Sequence, residues 1–188
     1  MTENRPEELA ELEARAHHAL EHAEQLEPRE VVSDFRPILR LWHYPAFFDH
    51  RSWTVFKPAR RNINEAPLVI REVNWVRKHD LPYFLDPLER IKQGFRVLPT
   101  IEVRDARMPA SDLSPLLAAL AEAPVPVAGI EARWGLDGER FGFENCESGF
   151  LSARLEWWGD GPDDWSAFSQ MVARLRDALQ QCFSETEL

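Results

Sequence analysis

The sequence predicts an α+β protein in which helices pack on one side of an antiparallel sheet. Short apolar segments alternate with period two and are bounded by prolines and glycines, as in strands that bury one face. Segments with helical periodicity occupy both ends of the chain. The chain has 188 residues, enough for one domain with a proper core, so we treat residues 1–188 as a single domain.

The first element is a helix, predicted over residues 6–27 within an N-terminal region 1–28. Its apolar residues follow three-four spacing: Leu9, Leu12, Ala16, Ala19, Ala23 and Leu26. This seam is narrow, rich in alanine, and shorter than a free coiled coil requires. We therefore expect the helix to dock on the body of the protein, while a homo-oligomer formed through it stays an alternative.

A β-rich lobe follows over residues 29–128. Strands are predicted at residues 38–44, 52–57, 68–76 and 100–104, with prolines at or near several of their ends. Two short helices interrupt the lobe. Asp86 opens one that Gly94 closes, and Ser111 or Asp112 caps another with leucines at helical spacing. The segment 123–129 is the best candidate for a joint between lobes.

The last region, 129–188, reads as a three-stranded meander followed by an amphipathic helix. Alternating apolar residues predict strands near 130–136, 141–143 and 151–157, and Asp137-Gly138 favours a hairpin turn with positive φ. Pro162 suits the first position of the covering helix. The apolar stripe of that helix comprises Phe168, Met171, Val172, Leu175, Ala178, Leu179 and Phe183.

Charge is spread unevenly along the chain, whose formal net charge is −10. Residues 1–33 carry a net charge of −6 and residues 129–188 carry −7, whereas residues 34–80 hold nine bases against five acids. General nucleic-acid binding is therefore disfavoured. The N-terminus lacks a basic start and an apolar run, and no stretch reaches the length of a membrane helix, so we expect a cytoplasmic protein that makes no membrane contact.

Candidate chemistry is sparse. The sequence holds no nucleophile elbow, phosphate loop, zinc-protease motif or dinucleotide fingerprint, and we expect no cofactor. Two cysteines cannot build a zinc site, and histidine pairs at helical spacing, such as His18 with His22, supply too few ligands for a metal. The basic region offers an anion-binding set: Arg60, Arg61, Arg71, Arg77 and Lys78. With His43, His50 or His79 beside a carboxylate, it would make a hydrolase, an alternative that requires a polar cleft.

Aromatic residues give the leading functional hint. Tryptophans flank an acidic turn near the last helix, and exposed aromatic residues beside carboxylates are typical partner anchors. The predicted partner-binding set is Trp157, Trp158, Asp160, Asp163, Asp164 and Trp165. Burial under the helix is the competing interpretation. A second aromatic cluster is expected in the core, with a pocket lining as its alternative: Trp42, Tyr44, Phe47, Phe48, Trp53 and Phe56.

The segments DGERFGFEN and LSARLEWWGDGPDDW, with the amphipathic helix after them, resemble the C-terminal parts of small bacterial proteins, some of them immunity-like proteins that neutralise toxins. The resemblance covers about the last third of the chain. It implies a bacterial, cytoplasmic protein with a protein partner, and it carries over no catalytic residue. We therefore expect a non-enzymatic protein-binding module.

Overall fold

The computed structural model of the protein describes residues 5–59, 67–86, 88, 98–123, 138–146 and 153–184. Within these residues a six-stranded antiparallel sheet combines with four α-helices, which confirms the predicted α+β class. The strands are β1 (Phe35–Pro45), β2 (His50–Pro58), β3 (Leu68–Trp75), β4 (Ile101–Met108), β5 (Glu139–Asn145) and β6 (Ala153–Trp158). The helices are α1 (Arg5–Glu21), α2 (Arg77–Leu85), α3 (Ala110–Glu122) and α4 (Ser166–Ser184).

The strand order is β4-β3-β2-β1-β5-β6, so β1 joins the two regions of the chain that sequence separates into lobes. Strand β5 pairs with β1 along one edge and with β6 along the other. The predicted strand 130–136 and Asp137 lie outside the described residues, as does most of the joint at 123–129. Gly138 has the predicted positive φ, +144°, and its carbonyl accepts a hydrogen bond from Ala46 N–H at 2.8 Å.

The sheet carries helices on both faces, in contrast to the expected single covered face. One core cluster joins the sheet to α3 and α4 through residues such as Leu41, Val55 and Leu175, and the other joins it to α1. The reason lies in the central strands, whose residues are buried at both parities: all eight residues of β3 are buried, polar ones included. A strand buried on both faces needs a cover on both.

Helix α1 docks on the sheet, as its seam predicts. Leu12, Ala16 and Leu20 are buried against β2 and β3, so the apolar residues expected to support a homo-oligomer lie in the core instead. The helix ends at Glu21, and a single 3₁₀ turn, Ala23–Gln25, follows it. Helix α1 thus closes one face of the sheet.

Helix α2 is absent from the sequence prediction, because Pro82 stands inside it. Its position is fixed by buried Asp80, whose Oδ2 accepts hydrogen bonds from Trp75 Nε1 at 2.6 Å and from the Thr100 amide at 2.8 Å. Most of the helix predicted between Asp86 and Gly94 lies outside the described residues. The hydrogen bonds of the Asp80 carboxylate therefore hold in place a helix that its internal proline disfavours.

The C-terminal helix packs as predicted, with Phe168, Val172, Leu175, Leu179 and Phe183 buried. It begins after a 3₁₀ turn, Asp163–Trp165, rather than at Pro162. Helix α3 starts at Ala110, so Ser111 and Asp112 lie in its first turn instead of capping it. The predictions of these two helices are therefore confirmed in position and shifted at their starts.

Candidate functional site

A cleft of about 630 Å³ opens on the α4 face at the end of the sheet where β1 turns into β2. Six parts of the fold converge on it: the ends of β1 and β2, the β1–β2 turn, and parts of α2, β5 and α4. Its lining residues are His43, Pro45, Phe47, Phe48, Asp49, Arg51, Trp53, Lys78, Leu81, Glu139, Arg176 and Gln180. Most of these side chains are polar or charged, so the cleft is suited to a polar or charged ligand.

The β1–β2 turn forms one wall of the cleft and presents two phenylalanines to solvent. Phe47 is 73% exposed and Phe48 is 71% exposed. The turn is held from behind by Arg77, whose Nη1 donates a hydrogen bond to the Ala46 carbonyl at 2.7 Å and also approaches the carbonyls of Pro45 and Phe48. The two aromatic rings therefore stand on a fixed backbone, without a core to cover them.

His43 lies inside the cleft beside a carboxylate. Its Nε2 is 3.1 Å from Glu139 Oε2, and its ring stacks on Phe141 with centroids 4.6 Å apart and an interplanar angle of 2°. Burial lowers the pKa of His43 below its ordinary value, although Glu139 opposes the shift. The imidazole is therefore neutral at pH 7, which is the form that accepts a proton.

Three cations border the same space: Arg51, Lys78 and Arg176. Within the part of the chain that the structure describes, Arg51 and Lys78 form no ion pair, and Arg176 pairs only with its neighbour Asp177, at 2.9 Å. Against them stand the carboxylates Asp49 and Glu139. With Asp177 counted beside Arg176, three carboxylates balance the three cations, and Arg51 and Lys78 are the cations that an anionic group could still pair with.

The anion-binding residues predicted from sequence do not form one site. Arg60 and Arg61 lie outside the described residues, while Lys78 lines the cleft. Arg71 is fully buried on the opposite face of the sheet, where it donates to both oxygens of Asp105 at 2.8 Å. Its remaining bonds go to the carbonyls of three residues after α1: Ala23, Leu26 and Pro28.

These hydrogen bonds make Arg71 a structural residue. Arg77 is structural for the same reason, because it donates to a carbonyl of the β1–β2 turn. Adjacent strand positions point to opposite faces, so sequence proximity does not gather these bases. Of the predicted anion set, only Lys78 is described in the cleft, where Arg51 and Arg176 join it instead.

The predicted partner-binding set divides in a similar way. Trp157 and Trp165 are buried in the core with their rings 6.0 Å apart, so they are not available to a partner. Trp158 is half-buried, and Asp160 and Asp164 are exposed. The side chain of Asp163 lies outside the described part of the structure. The acidic turn itself is shaped by Gly159 and Gly161, which have φ of +59° and +77°.

His17 and His50 serve the fold. His17 of α1 stacks on Tyr44 of β1, and its Nε2 is 3.2 Å from Nδ1 of His50. Burial lowers the pKa of His17 to about 4, and burial with the nearby Arg77 guanidinium lowers that of His50 to about 2. Both are neutral links between α1 and the sheet. His79 is exposed on α2. Among the described residues, no three His, Cys, Asp or Glu side chains are grouped to hold a metal ion.

Sequence reasoning missed the exposure of Phe47 and Phe48, which it placed with four aromatic residues that are indeed buried: Trp42, Tyr44, Trp53 and Phe56. A signal was present. Pro45 and Asp49 bracket the two phenylalanines, and residues of these types favour a turn, where side chains leave the pleat of the strand.

Comparisons with protein-family models, with curated proteins and with solved structures gave no match to this chain. Of the helices in the described ranges, none combines the length and apolar character needed to cross a bilayer.

Proposed function

We propose that the protein is a protein-binding module whose contact surface is the β1–β2 turn with the adjoining cleft. One observation carries the proposal: two adjacent phenylalanines, Phe47 and Phe48, are more than two-thirds exposed on a backbone fixed by Arg77. Large aromatic side chains are a cost on a free surface and a source of affinity in an interface. A fixed turn also avoids the entropy of ordering a loop on binding.

The chemistry beside the turn indicates the character of the partner. Arg51 and Lys78 line the cleft beside the exposed rings and can pair with carboxylates of a partner. A complementary partner offers an apolar pocket for Phe47 and Phe48, bordered by carboxylates. Such charges set orientation and association rate more than affinity, while the buried rings supply the affinity.

The resemblance of the last third of the chain to immunity-like proteins extends this proposal to a bacterial, cytoplasmic protein whose partner is a toxin. The exposed acidic turn with Asp160, Asp164 and half-buried Trp158 is then a second contact surface, as the sequence predicts. The net charge of −10 suits a basic partner at long range. Such a partner is basic overall, and carboxylates border only its pocket for the two phenylalanines.

The experiment is an affinity capture from the native host, followed by titration of the captured partner against variants. The double change Phe47→Ser with Phe48→Ser should weaken association by about thirtyfold or more, since truncated hot-spot residues cost about 2 kcal/mol or more. Leu98→Ser is the matched control, because Leu98 is 65% exposed and does not line the cleft. Equal affinity of the double variant and the control variant would contradict the proposal.

Hydrolysis is a second candidate, favoured by the position of His43 beside Glu139 in a polar cleft. The described lining contains no serine, threonine or cysteine, so water is the nucleophile and neutral His43 the general base. Arg51, Lys78 and Arg176 are placed to bind an anionic substrate.

The test of hydrolysis is turnover of p-nitrophenyl phosphate. His43→Gln should lower the rate by about 10²–10⁴-fold, whereas His79→Gln, an exposed histidine on α2, should leave it unchanged. A parent protein without turnover above the buffer rate removes this candidate for phosphate monoesters and leaves protein binding in place.

A further inference from the structure

A groove of about 270 Å³ lies between α4 and the strands β1, β5 and β6, next to the cleft. On the sheet side its walls are Leu41, Trp53, Phe141 and Trp157, all apolar or aromatic. Well-packed cores leave few voids larger than a water molecule, so a space of this size under a covering helix requires a local cause.

The cause is the face that α4 turns toward these rings. Ser166, Ser169 and Ala173 recur there at helical spacing, and each is too small to fill the distance to Phe141 and Trp157. The Ser169 hydroxyl is buried without a hydrogen-bond partner among the described atoms, beside the Trp157 ring and Gly161. The groove is therefore lined mainly by apolar side chains, with the Ser169 hydroxyl beside them as a polar group that lacks a hydrogen bond among the described atoms.

The groove and the cleft adjoin, because Trp53 and Arg176 line both. Arg176 lies over the Phe141 ring, with its guanidinium carbon 5.8 Å from the ring centroid. Its Nη2 also donates a hydrogen bond to Asp177 Oδ1 at 2.9 Å. Beyond Arg176 the cleft continues with Arg51 and Lys78. At the opposite end of the groove stands Asp160, next to Ser166. Ten residues of helix separate Ser166 from Arg176, a rise of about 15 Å.

We propose that this groove is a binding site for an amphipathic anion, a carboxylate with an unbranched acyl chain. The chain lies along α4 against Phe141 and Trp157, and the carboxylate reaches Arg176 where the groove adjoins the cleft. Asp160 sets the direction, because a carboxylate at that end would meet like charge. The proposal does not depend on a protein partner, since the phenylalanines of the turn line the cleft and not the groove.

The probe is decanoate, titrated into the full-length protein by calorimetry below the concentration at which decanoate self-associates. Tryptophan emission gives a second readout, because Trp53 and Trp157 line the groove. We expect saturable binding to the parent. Arg176→Gln should weaken it by about tenfold or more, since a hydrogen bond to a charged group contributes about 1.5–3 kcal/mol. Arg174→Gln, an exposed arginine on the same helix, is the matched control and should bind as the parent does.

Filling the groove gives an independent variant. Ala173→Phe should abolish decanoate binding while the thermal unfolding curve stays cooperative, and Ala173→Met serves if the larger residue does not fold. Decanol separates head from tail: it should bind the parent and Arg176→Gln equally. The turn variant Phe47→Ser with Phe48→Ser should keep decanoate affinity, which separates this site from the proposed protein interface. A parent that does not bind decanoate saturably, or filled and charge-removed variants that bind as tightly as the parent, would overturn the proposal.

Discussion

The two faces of the sheet use the same kinds of residue in different ways. On the α1 face, charged and polar side chains are bonded inward: Arg71 binds Asp105 and three carbonyls, and Ser52 Oγ donates to the Leu20 carbonyl at 2.7 Å. On the α4 face, Arg51 and His43 border the cleft instead. Arg71 and Arg51 thus differ because neighbouring strand positions point to opposite faces. The α4 face also holds a base that is bonded inward, since Arg104 pairs with buried Glu72 at 2.6 Å.

Removing a base from each face gives the largest contrast. Arg71→Ala leaves Asp105 and three carbonyls without their donor, so we expect the free energy of unfolding to fall by about 3–5 kcal/mol. Arg51→Ala, the matched change on the α4 face, should stay within about 0.5 kcal/mol of the parent. Urea unfolding measures both. Equal losses for the two variants would mean that the faces do not differ in this way.

The packing of α4 sharpens the comparison, because its inner stripe is structural even though the helix borders the groove. Leu175 is fully buried, so Leu175→Ala should lower the free energy of unfolding by about 2–5 kcal/mol. Ala173→Ser, on the groove face, should change it far less. Thermal and urea unfolding report the difference, and an unchanged curve for Leu175→Ala would place this stripe in solvent.

Acid should act first on the α1 face. The pKa values of His17 and His50 are lowered in the folded protein, to about 4 and about 2, from an ordinary value of about 6.5. The unfolded chain therefore binds protons first as pH falls. Stability from these groups is fully present above about pH 6.5 and is lost below it, by up to about 1.4 kcal/mol per pH unit for each histidine.

The measurement is the free energy of unfolding between pH 7 and pH 4. The variant His17→Gln with His50→Gln should show a shallower decline than the parent, since carboxylates titrate in both. His79→Gln, an exposed histidine on α2, should follow the parent. Parallel curves for the parent and the double variant would show that the histidine link between α1 and the sheet does not titrate as described.

Sequence periodicity predicts the strands and the terminal helices of this fold well, because apolar residues repeat where each element meets the core. It does not predict that both sheet faces are covered, although the consecutive β1 residues Leu41 and Trp42 point to opposite faces and are both buried. Nor does it predict α2, whose position depends on Asp80 binding Trp75 and Thr100, residues brought together only by the fold.

The site was predictable only in part. The region 34–80 was expected to supply a histidine near a carboxylate, and His43 does lie beside one, but Glu139 comes from β5, far away in sequence. Arg176 reaches the cleft from α4 in the same manner. The prediction that Trp157 and Trp165 contact a partner is wrong. Tryptophans beside an acidic turn are typical of a contact surface, but both rings are buried in the core. Long-range contacts, which leave no local signal, decide each of these outcomes.

We propose that the residues exposed at the cleft serve recognition, so folding should not depend on them. The most direct test is the urea midpoint of the variant Phe47→Ser with Phe48→Ser. Because both rings are largely in solvent, we expect the free energy of unfolding to stay within about 0.5 kcal/mol of the parent, with an unchanged slope. A loss comparable to that of Leu175→Ala would show that the two phenylalanines belong to the core and would contradict the account.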